Sequence, residues 1–202
     1  MSIRGHQQIA VVKKKHQIQR VADSGSSVRQ NGHGVVIEGG GSVALNGGLD
    51  GGLLTVEADT TLTGEGHIQS HLDNFGGTIS PGNGIGTLRV GSFQSFDGSV
   101  MRIEIGEFAN DLLVVDGRFG WQGRFEVELV DGFMPSAGDE FTVFEFGSRS
   151  IDYSELDLPV LAPGLSWDVV PLDDGMLRVV PEPRLGLWFV WIAFPAMRSL
   201  RR

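Results

Sequence analysis

Asn74-Phe75-Gly76-Gly77-Thr78-Ile79-Ser80-Pro81-Gly82-Asn83-Gly84-Ile85-Gly86-Thr87-Leu88 is the stretch whose reading decides the fold. It holds a very short apolar-polar strand, a Pro-Gly pair that turns the chain sharply, and glycines spaced to let the backbone pass close to its neighbour. Outward from it, period-two alternation recurs at Val35-Val36-Ile37, Val43-Ala44-Leu45 and Leu53-Leu54-Thr55-Val56. It continues at Leu88-Arg89-Val90, Met101–Ile105, Phe125–Leu129, Phe141–Phe146 and Met176–Val180. Runs with one apolar and one polar face are half-buried strands. Between them lie Asp-Gly pairs beginning at Asp50, Asp97, Asp116, Asp131 and Asp174, and Asn-Gly pairs at Asn31, Asn46 and Asn83, all suited to tight turns.

No long helical period interrupts this pattern before the extreme C-terminus, so the body is all-β. From 34 to 96 the strands are short and Gly-dense, which fits a parallel β-helix (solenoid) whose rungs bury small and branched residues. From 97 to 180 they lengthen and carry acids outward, as at Glu104, Glu126, Glu128 and Glu145, which reads as antiparallel sheet in a sandwich-like cap. Such a cap would hide the open end of the solenoid. The expected architecture is thus a short solenoid, an antiparallel cap and a C-terminal hydrophobic helix. Residues 1–33 read as a disordered tail or the product of a misassigned start, and a solenoid beginning at 34 has no evident N-terminal cap.

Composition excludes several classes. Thirty glycines without a G-X-Y period are not collagen, and 41% hydrophobic residues with 12 Phe and 4 Trp can build a core. The absence of cysteine removes disulfides, thiolate zinc sites and Cys nucleophiles. The net charge of −9 is unevenly placed: residues 1–30 carry +5, 31–96 carry −5, 97–176 carry −13 and the last 26 residues +4. An acidic body repels phosphates, so nucleic acid is not an expected partner. The Lys13-Lys14-Lys15 run reads as a solvated terminus.

Thr63-Gly64-Glu65-Gly66-His67-Ile68, followed by Asn74–Ile79 and then Ser80-Pro81-Gly82-Asn83-Gly84-Ile85-Gly86-Thr87-Leu88, resembles the autotransporter-passenger-like repeat. Asp111-Leu112-Leu113-Val114-Val115-Asp116-Gly117 and Pro135-Ser136-Ala137-Gly138-Asp139-Glu140-Phe141 follow in the order of that family. The resemblance spans about residues 53–180 and makes Ser80, Pro81, Gly82, Gly84 and Gly86 the repeat-turn motif. Gly84 stands where the family more often has Ser.

Val180-Pro181-Glu182-Pro183, an uncharged stretch from Leu185 to Met197, and Arg198, Arg201 and Arg202 resemble the PEP-CTERM sorting signal. Two prolines hold the tripeptide extended for a processing enzyme, the apolar run partitions into a membrane, and the arginines favour the cytoplasmic side. Thirteen residues at 1.5 Å each span roughly 20 Å against roughly 30 Å of hydrocarbon, so Arg184 and Arg198 must snorkel. The competing reading is a last strand or helix buried in the body. The resemblance implies export to the cell envelope or beyond, transient membrane anchoring, and an exosortase as partner acting near Pro181-Glu182-Pro183. Its residues would then be a substrate rather than a site. No signal peptide precedes the body, since Ile9-Ala10-Val11-Val12 is the longest apolar candidate.

Candidate chemistry is thin. His67 and His71 are four apart, with Asp73 the nearest third ligand. Asp157, Asp168, Asp173 and Asp174 could offer oxygens to calcium, but turn formation is the simpler role. Seventeen acids in 97–176 guarantee some pair at glycosidase spacing, so spacing decides nothing. There is no G-x-S-x-G elbow, and the Gly-rich segments precede no helix that would make them phosphate loops. The expected function is therefore a non-enzymatic, cofactor-free surface or matrix protein. The alternative is a polysaccharide-binding or polysaccharide-cleaving β-helix, for which residues 34–96 offer only Phe75, Phe93 and Phe96 as aromatic platforms.

Overall fold

The computed structural model describes residues 34–182 throughout and, before them, the backbone of four strands: β1 (Val11–Lys13), β2 (His16–Ile18), β3 (Val21–Ala22) and β4 (Ser27–Asn31). Then follow β5 (Gly34–Glu38), β6 (Gly41–Ala44), β7 (Gly48–Leu49), β8 (Leu53–Glu57), β9 (Thr60–Gly64), β10 (His67–Phe75) and β11 (Thr78–Pro81). The series ends with β12 (Thr87–Ser95), β13 (Val100–Ile105), β14 (Leu112–Leu129), β15 (Glu140–Thr142), β16 (Phe144–Asp157), β17 (Leu165–Asp168) and β18 (Met176–Pro181). The described residues are all-β. Their one helical turn is a 3₁₀ segment at Val170–Asp174, so no helix among them is long and apolar enough to cross a membrane. The expected C-terminal helix lies outside the described residues.

Strands stack in three parallel ladders, which gives the body a β-helix-like architecture. In the first, Leu49, Ile68, Val90, Val115 and Phe146 lie in register. The second aligns Val35, Leu54, Leu72, Phe93 and Phe119. The third aligns Val43, Leu62, Ile79, Met101, Phe125 and Leu156. The long strands β10, β12 and β14 serve two or three ladders each, passing between ladders at register shifts such as Ile68/His71 and Val90/Phe93. Such a bulge bends a strand without ending it. Inward residues alternate with outward ones, so one apolar column from each ladder meets in a common core, including Leu54, Leu62, Ile68, Leu72 and Ile79, all fully buried.

The expectation of antiparallel sheet from residue 97 onward is corrected by this register. β13 pairs β14, and β14 pairs β16, in parallel through Asp157. Alternation with outward acids is equally compatible with either direction, and the Asp-Gly pairs mark corners rather than hairpins: Asp116-Gly117 sits at the Val115/Arg118 register shift inside β14. Antiparallel pairing in the C-terminal part is confined to a small sheet, β15–β18–β17. Its Phe141, Leu177 and Val179, with Leu172 of the 3₁₀ turn, join the same core. At the other end β4 pairs antiparallel with β5, and β3 with β6. The outer edges of β5 and β6 in the first rung are therefore paired, where the sequence shows no evident cap.

Candidate functional site

The repeat-turn motif begins at the end of β11, where Ser80 and Pro81 lie in register with Thr63 and Gly64. Gly82 and Gly64 exchange both backbone hydrogen bonds, at 2.9 and 2.7 Å. Gly82 has φ +84°, and a Cβ there would lie 2.6 Å from the Gly86 nitrogen, so the turn closes on itself only with glycine. Gly86 is crowded too: its Cβ would meet Glu65 Oε1 at 2.7 Å. Gly84 is different, because nothing lies nearer than Glu104 Oε2 at 4.0 Å; its φ of +92° is the reason for glycine, not close approach.

What holds the motif is Asp111, fully buried just before β14. Its Oδ1 accepts from the Gly86 N–H at 2.8 Å and its Oδ2 from the Glu104 N–H at 2.9 Å, while its own N–H donates to the Glu104 carbonyl at 2.8 Å. One carboxyl thus ties the turn to β13 and to the start of β14. Burial pushes the Asp111 carboxyl up to about 7, against the two backbone donors that favour its ionised form. In the sequence the signal for this part is slight, an aspartate immediately before the apolar strand Leu112–Val115. Asn74 plays a similar part at another corner. It is fully buried, exchanges two hydrogen bonds with the Gly77 backbone at 2.8 and 2.9 Å, and receives the Ser99 hydroxyl on its carbonyl at 2.8 Å.

Beside the turn, the outer face of the third ladder forms a polar groove of about 410 Å³. Ser42, Thr61 and Thr63 supply hydroxyls, Asn83 an amide, and Glu104 and Glu128 carboxylates. Glu104 and Glu128 are in register, and burial followed by Glu128 raises the Glu104 carboxyl. Arg102 answers them in part but is bound to Glu126 at 2.9 Å.

The two histidines engage separate partners. His71 lies between Ser92 Oγ, 2.5 Å from Nδ1, and Asp73 Oδ1, 2.8 Å from Nε2, on the half-exposed surface of the β10–β12 pair. His67 stands 4.0 Å from Asp116, which is paired with Arg89. Among the described residues no group of three or more His, Asp or Glu side chains could hold a metal ion. Asp157 pairs with Arg124, Asp174 with Arg149, and Asp168 accepts the Val170 N–H. Of the aromatic residues, Phe93 is buried, whereas Phe75 and Phe96 are exposed and stacked on each other at 4.3 Å and 5°. Each therefore covers one face of the other.

Pro181 ends β18 opposite Leu165, and the Glu182 N–H donates to the Gly164 carbonyl; both residues are exposed. Pro183, Arg198, Arg201 and Arg202 lie outside the described residues. No family model matches this chain. No curated protein matches it either.

Proposed function

We propose that this protein is an exported component of the cell surface or extracellular matrix, structural or interactive rather than catalytic and needing no cofactor. Its C-terminal tail is the sorting signal, recognised and cut by an exosortase-type enzyme. On this reading the parallel ladders are a short solenoid, the small antiparallel sheet is its sandwich-like end, and residues 185–197 form the hydrophobic helix that enters the membrane before processing.

The observation that carries the proposal is the exposed Pro181-Glu182 at the end of β18, followed in sequence by the apolar run and the arginines. A processing enzyme reaches this exposed strand end by breaking no more than its pairing with Gly164 and Leu165. The acidic body argues against a nucleic-acid partner. The test is a Glu182→Ala, Pro183→Ala variant with an epitope inserted after Gly132, in cells that contain the processing enzyme. Processed protein outside the inner membrane in the parent, and unprocessed protein retained in the variant, is the expected result. Equal processing of both removes the signal reading.

The polar groove beside Asn83 favours a second reading, binding or cleavage of an extracellular polysaccharide along the third ladder. Release of reducing ends from a polysaccharide panel by the purified protein would move the assignment to an enzyme.

A further inference from the structure

A second depression, about 540 Å³, opens where the loops after Pro81, Ile105 and Leu129 meet. Ile85, Phe108, Phe133 and Met134 line its apolar part. Phe108 is 92% exposed and Met134 78%, so both stand largely in water at this spot. Phe133 packs edge-on against Phe141 at 6.1 Å, so the floor of the depression is continuous with the core. Its rim is acidic, with Glu107, Asp131 and Asp139.

The wall of this depression is attached to the strand from which the tail departs. Gly138 N–H donates to the Val179 carbonyl at 2.8 Å, and Val179 N–H to the Asp139 carbonyl at 2.9 Å. β18 ends two residues later at Pro181. Glu182 stands three residues beyond Val179, so at most about 10 Å of chain separates it from the position bonded to Asp139 on the rim. The segment that follows has the complementary chemistry: an uncharged run from Leu185 to Met197 containing Trp188, Phe189 and Trp191, flanked by Arg184 and Arg198. Apolar surface on both sides favours contact at about 25 cal/mol per Å² removed from water, and arginines against an acidic rim fix its direction.

We infer that the depression around Phe108 and Met134 is an intramolecular dock for aromatic side chains of residues 185–197, which shelters that part of the apolar tail from water until a membrane takes it. This rests on the tail being membrane-directed, as in the proposed function, and adds where the tail resides beforehand.

The experiment places a benzophenone-bearing amino acid at position 108 of the full chain in dilute, detergent-free solution. Photolysis is expected to join position 108 to a peptide within 185–197 of the same molecule, with a yield independent of dilution. Cross-links absent from that peptide, or formed only between molecules at high concentration, overturn the dock. A second measurement uses the Phe108→Asp, Met134→Asp variant, whose changes lie on exposed side chains. Its fraction bound to phosphatidylcholine vesicles is expected to rise several-fold over the parent, because the tail is no longer held. Unchanged binding while the 185–197 peptide alone binds the same vesicles overturns the dock, and a peptide that does not bind overturns the membrane-directed reading instead. Neither measurement involves a processing enzyme. A failed dock therefore leaves the sorting signal standing, and an unused signal leaves the dock standing.

Discussion

Between Gly34 and Pro81 the core columns hold Val43, Leu54, Leu62, Leu72 and Ile79, and corners depend on glycines that touch the neighbouring backbone; between Val100 and Asp157 the same columns hold Phe119, Phe125, Phe146 and Leu156. Stacked partners move further apart in sequence along the chain. Val43 lies under Leu62, but Phe125 lies under Leu156. A longer rung encloses more space, and Phe93, Phe119, Phe144 and Trp121 fill it with ring centroids 5.0–6.1 Å apart. The early rungs are specified by what their backbone excludes, the late rungs by the volume of their side chains.

Removing a late-rung ring should give the largest effect. Phe119→Ala is expected to destabilise the body by about 3–5 kcal/mol, read by denaturant unfolding with tryptophan emission as the probe. If Phe119→Ala costs less than Leu72→Ala, the aromatic packing is not what holds the wide rungs. Next comes the early-rung backbone. Gly64 has φ +112° and its Cβ would fall 2.6 Å from the Leu45 carbonyl carbon, whereas a Cβ at Gly132 meets nothing within 4 Å. Gly132→Ala should cost roughly the 1–2 kcal/mol of left-handed strain alone, and Gly64→Ala clearly more. Equal losses would erase the distinction between close approach and turn conformation.

Asp111 joins the two regions and gives a pH prediction. Its folded pKa is raised above the unfolded value, so its contribution to stability is fully present below about 4 and is lost as pH rises through about 7. Melting temperatures measured from pH 4 to 8 should show this fall, and Asp111→Asn should flatten it. A fall of the same slope in the variant would assign the effect elsewhere. The smallest effect belongs to the surface. Arg102→Ala removes a partly exposed pair with Glu126 and is expected to cost no more than about 1 kcal/mol, less in high salt.

The all-β class and the early rungs were legible because Val43, Leu62 and Ile79 alternate with polar residues between glycine turns. Strand direction beyond residue 97 was not, since Glu104, Glu126 and Glu128 point outward in parallel and antiparallel sheets alike. The distinction lies in which residue stands opposite Met101, a contact that local pattern does not encode. The turn motif was readable at Gly82 and Gly86, while the part played by Asp111 depends on bringing Gly86 and Glu104 to one carboxyl. The depression beside Phe108 escaped notice for the same reason: Ile85, Phe108 and Met134 come from three separate loops.

What happens to the chain after Pro181 decides the sorting role. Mass spectrometry of the C-terminal peptide from native cells, fractionated into inner membrane, outer envelope and medium, addresses that directly. A body ending near Pro181–Pro183 and found outside the inner membrane is the predicted result. An intact tail ending at Arg202 and retained inside the cell would contradict it, leaving the β-helix-like fold without the sorting role.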